Sequence, residues 1–343
     1  MLKNNILKIG SGMIKQIGNL LYDTGIAGKI LYISDPYVDK LYGHVVRTQI
    51  ASVGKMKEQA VTCNTIAFAM EIAERVIATD IDCIVAMGGG KILDVGKYAA
   101  FISKRPFLSI PTTIAHDGIV SPIAVLKRQD DKPKSLGCAM PSMIVLDTEL
   151  IATCPPQLIK AGIGDTISNY MSLKDWDFAV SRGQDEMNGY AYMMSRTALD
   201  AIMKTQFCEI CPGFINVLAN SLVLSGIAMD FAGSSRPVSG SEHLFSHALD
   251  YFCEKQNLHG FNVALGTVAV LKIIGENPNE VIKYLKKFDV NINPKKMEIS
   301  EDVFVYCMQH ATEMRTNRYT YLHEADLNEK KLRRIYHELE EEL

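Results

Sequence analysis

DCIVAMGGGKILDVGKYAAFIS, residues 82–103, decides how this chain folds. Cys83 to Met87 form an apolar run with no polar alternation, which reads as a strand buried on both faces. The run passes into Gly88, Gly89 and Gly90, and the residues after them carry apolar side chains at helical spacing. Three successive glycines let a backbone approach a ligand closely, and a helix that starts there offers free N–H groups to a phosphate. Tight-turn geometry accounts for the same glycines, and the GxGxxG dinucleotide fingerprint is absent.

Outward from this stretch the first 150 residues alternate. KILYIS (29–34) is a short apolar strand ending in Asp35-Pro36, 38–52 reads as a helix, and a strand is expected near 54–57. Residues 64–79 show helical periodicity, and PFLSIPTT (106–113) and MIVLD (143–147) are further apolar strands. Such alternation predicts a mostly parallel sheet covered by helices on both faces. Beyond residue 150, helical patterns dominate at 157–182, 189–205, 214–232, 241–254, 261–274, 279–286 and 301–313, and a mixed-charge helix closes the chain. The expected architecture is a Rossmann-like α/β domain over 1–150 and an all-α domain over 151–343, with the boundary near Asp147–Pro156.

A chain of 343 residues suits two domains, and 48% hydrophobic with 22% charged residues is ordinary globular composition. A net charge of −3 and a pI near 6.3 argue against nucleic acid or an anionic membrane as partner. FINVLANSLVLSGIAMDFAG (214–233) is the most apolar stretch, but Asn216, Asn220, Ser221 and Asp230 make it a buried helix rather than a membrane span. No secretory signal is recognised, and the eight cysteines, the Cys208–Cys211 pair included, read as reduced packing residues of a cytoplasmic protein.

The chemistry concentrates in SGSEHLFSHALDYFCEKQNLHG. His243 and His247 are four apart, as on one helix face, and His259 directly precedes a glycine. Neutral imidazoles gathered this way can hold a divalent metal, and from spacing alone either His243 or His247 can pair with His259. Asp165, in AGIGDTISNY, supplies a carboxylate at what reads as a glycine-flanked helix entrance; with two histidines it completes three ligands and leaves a position open, as a catalytic zinc requires. SIPTTIAHDGIVSP (109–122) brings hydroxyls at Thr112 and Thr113 to the end of a strand, where they can meet phosphate or ribose or simply line a polar turn at Asp117-Gly118. Arg236, among small hydroxyl residues in GSSRPVSGSE, suits a phosphate monoester or is a surface arginine of a connecting loop. Asp35 can accept from an adenosine ribose, which favours NAD over NADP, or serve as the turn residue before Pro36.

Taken together, GGGKILDVGK, IPTTIAHDGIVSP, AGIGDTISNYMSLKDW, SRPVSGSEHLFSHALD, HGFNVALGT and RYTYLHE resemble the iron-containing alcohol dehydrogenase superfamily, which includes glycerol dehydrogenase and dehydroquinate synthase. Within it the chain is most similar to the sn-glycerol-1-phosphate dehydrogenases. The resemblance implies a dehydroquinate synthase-like fold and a dinucleotide, NAD or NADP, on Gly88, Gly89, Gly90, Lys91 and Asp94, with Thr112, Thr113 and Ser121 in contact. It implies a metal on Asp165, His243 and His259, and Asp117 and His247 facing the substrate. Asn169 stands where iron-dependent relatives carry a histidine ligand, which favours Zn2+ over Fe2+ or Ni2+. Ser168, where a lysine is expected in the cyclases, weakens a dehydroquinate synthase reading, and Ala115 replaces a serine common in the nearest group. The implied reaction is reduction of dihydroxyacetone phosphate to sn-glycerol 1-phosphate. A dehydrogenase of glycerol or another polyol and a dehydroquinate synthase-like cyclase are the alternatives. The expected partner is a small phosphorylated ketone or polyol, with a homo-oligomer compatible.

Overall fold

Strands β1 (Ile6–Gly10), β2 (Lys29–Ser34), β3 (Lys55–Ala60), β4 (Cys83–Gly88), β5 (Phe107–Pro111) and β8 (Met143–Asp147) form a sheet in the order β1-β8-β5-β4-β2-β3, every pair parallel. This is a computed structural model that describes residues 6–26 and 28–343. Two further strands, β6 (Ile123–Lys127) and β7 (Pro133–Gly137), pair antiparallel in a separate hairpin. Helices α1 (Ile17–Asp23), α2 (Pro36–Ala51), α3 (Ile66–Ala78), α4 (Gly90–Ser103) and α5 (Thr148–Ala152) connect them.

The central strands are apolar throughout because both of their faces are covered. Tyr32, Val85, Leu108 and Val145 pack with Leu21, Val46 and Ile50 of α1 and α2. On the opposite face α4 lies so close that a Cβ on Gly96 would stand 2.8 Å from Phe107 and 2.9 Å from Ile33. Each such Val, Leu or Ile taken from water contributes roughly 1.5–3 kcal/mol. The main sheet is therefore fully parallel. The hairpin and β1 are elements that the hydrophobic pattern does not announce.

The chain divides into two compact units, Met1–Ile114 with Gly118–Pro155, and Ala115–Asp117 with Pro156–Leu343. The second is helical: α6 (Pro156–Ser181), α7 (Gly189–Met203), α8 (Pro212–Ala232), α9 (Ser241–Phe252), α10 (His259–Ile273), α11 (Asn279–Lys287), α12 (Glu301–Gln309) and α13 (Glu329–Glu342). The helix expected over 301–313 ends at Gln309, and Ala311–Met314 is a separate 3-10 turn. Among the described residues α8 is the one helix long and apolar enough to cross a membrane, with a mean hydropathy of 1.5. It packs instead on α6 and α7, with Phe214, Leu218 and Leu222 fully buried. The eight cysteines are free thiols.

Candidate active site

Helices α6 and α10 of the second unit meet at their glycines. A Cβ on Gly164 of α6 would lie 2.2 Å from the Gly260 carbonyl oxygen, and one on Gly260 of α10 would lie 1.8 Å from that of Ala161. Only bare backbone permits this crossing. It sets Asp165 and His259, the residues next to those glycines, against each other. Asp165 is thus the tenth residue of α6 rather than the helix entrance that its flanking glycines suggest. Helix α9 is anchored by Asp175, whose Oδ2 accepts from the Ser241 N–H at 2.6 Å and whose Oδ1 accepts from Ser241 Oγ at 2.9 Å. That anchor fixes the turn carrying His243.

The result is a cluster in which ligand atoms of Asp165, His243 and His259 all lie within 4.8 Å of one another. His243 Nε2 is 3.2 Å from His259 Nε2, which is 3.6 Å from Asp165 Oδ1. His243 Nδ1 stands 2.8 Å from the buried Glu242 Oε1, so Nδ1 carries the proton and Nε2 is a bare lone pair. Ser246 Oγ, 3.2 Å from His259 Nδ1, can accept that proton and bare His259 Nε2 as well. Burial, then Arg315 and Arg318, hold His243 neutral down to about 3, and burial likewise pushes His259 and His247 well below the usual histidine range. The 3.6 Å contact of His259 with Asp165 is therefore not an ion pair. Burial and the Asp117 carboxylate push Asp165 well above the usual range, while the Asp117 N–H, 2.9 Å from Asp165 Oδ2, works against them. Two bare imidazole nitrogens 3.2 Å apart cannot hydrogen-bond each other, and with the Asp165 oxygen beside them they gather lone pairs at a point that a cation can occupy. The donor set fits a divalent metal with three protein ligands.

His247 lies one turn along α9 from His243, with ring centroids 6.2 Å apart, and its buried Nε2 has no hydrogen-bond partner among the described residues. His116 is edge-on to His259 at 6.3 Å. Arg236 is 3% exposed; its Nη2 donates to the carbonyls of Asp175 and Tyr319, and Nε lies 2.9 Å from Asp185 Oδ2. Asn169 is buried, and its Nδ2 donates to Ser225 Oγ at 3.0 Å.

In the first unit the chain reverses direction between β2 and β4, the crevice where such sheets bind ligands beyond the strand ends. Gly88 closes β4 against Ile92, and Gly89 caps α4 without a side-chain acceptor, leaving its first N–H groups to a ligand. Lys91 is exposed, and Thr113 lies beside Gly89. Thr112 is buried and donates its N–H to the Gly88 carbonyl. The Asp94 carboxylate is turned inward, 3.3 Å from Lys97 Nζ and accepting from the Val125 N–H at 3.0 Å, so it ties α4 to β6. Ser121 Oγ donates to the Ile123 carbonyl at 3.5 Å, and Asp35 Oδ1 caps α2 by accepting from Tyr37 and Val38 at 2.9 Å. The sequence assigns no role to Glu242, Arg315 or Arg318. Glu242 leaves a local trace as the carboxylate beside a proposed ligand histidine, and Arg318 opens the motif RYTYLHE, while nothing marks Arg315.

Residues 8–155 match the family described as iron-containing alcohol dehydrogenase. The chain is 34% identical to the "Glycerol-1-phosphate dehydrogenase [NAD(P)+]" of Hyperthermus butylicus, over 93% of this chain and 92% of that one. It is 31% identical to the protein of the same name from Methanosarcina barkeri, over 92% and 89%. A probable glycerol dehydrogenase from Sinorhizobium meliloti superposes with a TM-score of 0.77 at 18% identity, covering 98% of this chain and 97% of that one. Maleylacetate reductase from Agrobacterium tumefaciens gives 0.76 at 16%, covering 100% and 97%, so these two share the fold. The fold is that of the iron-containing alcohol dehydrogenase class. Within that class the chain belongs to the glycerol-1-phosphate dehydrogenase family.

Proposed function

We propose that this enzyme reduces dihydroxyacetone phosphate to sn-glycerol 1-phosphate with NAD(P)H, as the names of its relatives indicate for them. The observation that carries the reading is the three-donor cluster of Asp165, His243 and His259. A divalent metal held there supplies Lewis-acid polarisation of the substrate oxygen. The nicotinamide supplies the hydride, and its pyrophosphate is assigned to Gly88–Gly90 at the start of α4. Glu242 fixes the His243 ring, and the Asp117 N–H fixes one oxygen of Asp165 so that the other faces the histidines. His247, neutral with an unpartnered Nε2, is assigned relay of the proton that the new hydroxyl needs, taking one up at one ring nitrogen as it gives one from the other. Asp117 is assigned to a substrate hydroxyl. Zinc is favoured over ferrous iron because Asn169 brings no imidazole to the site, and its Nδ2 donates to Ser225 Oγ. The free thiols agree with a cytoplasmic site of action.

The test is NAD(P)H oxidation by metal-loaded protein with dihydroxyacetone phosphate, followed by chiral analysis of the product. Dialysis against a chelator should abolish turnover and zinc should restore it. Absence of turnover with this ketone, alongside turnover with glycerol or another polyol, would overturn the assignment.

A further inference from the structure

The second unit contains two arginines for which the scheme above has no task. Arg315 and Arg318 follow the 3-10 turn Ala311–Met314, which packs against α9, the helix of His243 and His247. Arg315 Nη1 donates to Ser235 Oγ at 2.8 Å, and Arg318 Nη2 donates to the same oxygen at 3.0 Å. The other Arg318 bond runs from Nη1 to the Ser239 carbonyl. These acceptors are neutral.

Among the described residues no carboxylate stands within ion-pair distance of either guanidinium. The contrast is Arg236, as buried as Arg318, which has Asp185 at 2.9 Å. Arg318 is 7% exposed and feels Glu242 and Asp185 only at longer range, whereas Arg315 is half-buried and reachable. Holding one buried and one half-buried cation on a single serine oxygen is costly unless an anion completes the site. Arg315 also depresses His243, His247 and His259, which places it in the field of the cluster.

We infer that Arg315, backed by Arg318 and Ser235, is the seat of a dianionic phosphate group on the substrate and selects phosphorylated over unphosphorylated ketones. A phosphate monoester carries close to two negative charges at neutral pH and matches two guanidinium forks, whereas a carboxylate would answer only one. The inference rests on the proposed reduction of dihydroxyacetone phosphate and adds the determinant of its specificity.

The experiment compares wild type, Arg315→Gln and Arg315→Lys as metal-loaded full-length enzyme with dihydroxyacetone phosphate and dihydroxyacetone. In Arg315→Gln the ratio of kcat/KM between the two ketones should fall about 100-fold, mainly through KM, with partial recovery in Arg315→Lys. An unchanged ratio in folded Arg315→Gln overturns the inference. Should that variant not fold, the same ratio in Arg315→Lys decides. A second readout is independent of turnover: inorganic phosphate should raise the Tm of wild type and not of Arg315→Gln. If wild type fails to reduce dihydroxyacetone phosphate, the proposed function falls while this phosphate-dependent shift still supports the anion seat; no shift in wild type overturns the seat.

Discussion

Replacing Gly260 by alanine should damage the helix crossing and the metal site together. A Cβ on Gly260 would lie 1.8 Å from the Ala161 carbonyl oxygen and 2.5 Å from its carbon, and neither is a flexible side-chain end that can swing away. Restoring an ordinary contact of 3.4 Å requires α6 and α10 to part by about 1.6 Å, the difference between the two distances. Overpacking against backbone at that scale should cost about 3 kcal/mol. The same movement carries His259, one residue away, from Asp165, whose Oδ1 now lies 3.6 Å from its Nε2. Metal–ligand distances tolerate about 0.2 Å, so zinc affinity should fall at least about 100-fold. Urea melts report the first effect and chelator competition the second. Gly189→Ala is the control, since nothing lies within 4 Å of its Cβ position. Gly164→Ala, whose Cβ would meet the Gly260 carbonyl oxygen at 2.2 Å, should show both effects at smaller size. The reasoning is refuted if Gly260→Ala matches wild type within about 0.5 kcal/mol and binds zinc within threefold.

Three further outcomes are expected. Glu242→Gln keeps an acceptor at His243 Nδ1 but removes the charge, so zinc affinity should drop about tenfold, and Glu242→Ala should lose more; equal zinc affinity in all three proteins would deny Glu242 this role. Asp35→Ser retains a cap for α2, so its Tm should hold, while loss of the carboxylate should raise the NADPH-to-NADH ratio of kcat/KM about tenfold; an unmoved ratio would leave Asp35 as a cap alone. Burial pushes Asp250 up to about 6. A carboxyl raised on folding favours the native state only while protonated, so its contribution is full below the ordinary Asp range near 4 and is lost as pH rises through 6. Asp250→Asn should therefore stabilise the protein by about 2 kcal/mol at pH 7.5 and by almost nothing near pH 4, as read by urea melts. A gain independent of pH would point to packing instead.

The buried strands are legible because two covered faces demand uninterrupted apolar residues, as in KILYIS and MIVLD. The polar strands are less so: β3 reads KMKEQA and only its start falls within the strand expected near 54–57, while β7 of the hairpin reads PKSLG, polar and largely exposed, and nothing periodic marks it. At the candidate site, features that forbid a side chain show in the sequence while features that merely use one stay hidden. Gly164 and Gly260 stand beside Asp165 and His259 because a close helix crossing excludes any Cβ, and that exclusion leaves glycines in the chain. Arg315 and Arg318 reach Ser235 across 80 and 83 residues, and an arginine that folds back so far looks the same in sequence as one on a solvated face. Arg236 shows the converse. Its setting of small hydroxyl residues invites an anion, but folding brings Asp185 to its guanidinium and turns it into a tie between α6 and the segment after α12. Residue type is the same for Arg236 and for Arg315, and local setting points the wrong way. What separates them is which charge the fold has already neutralised, and that is decided only by contacts the chain makes with its distant parts.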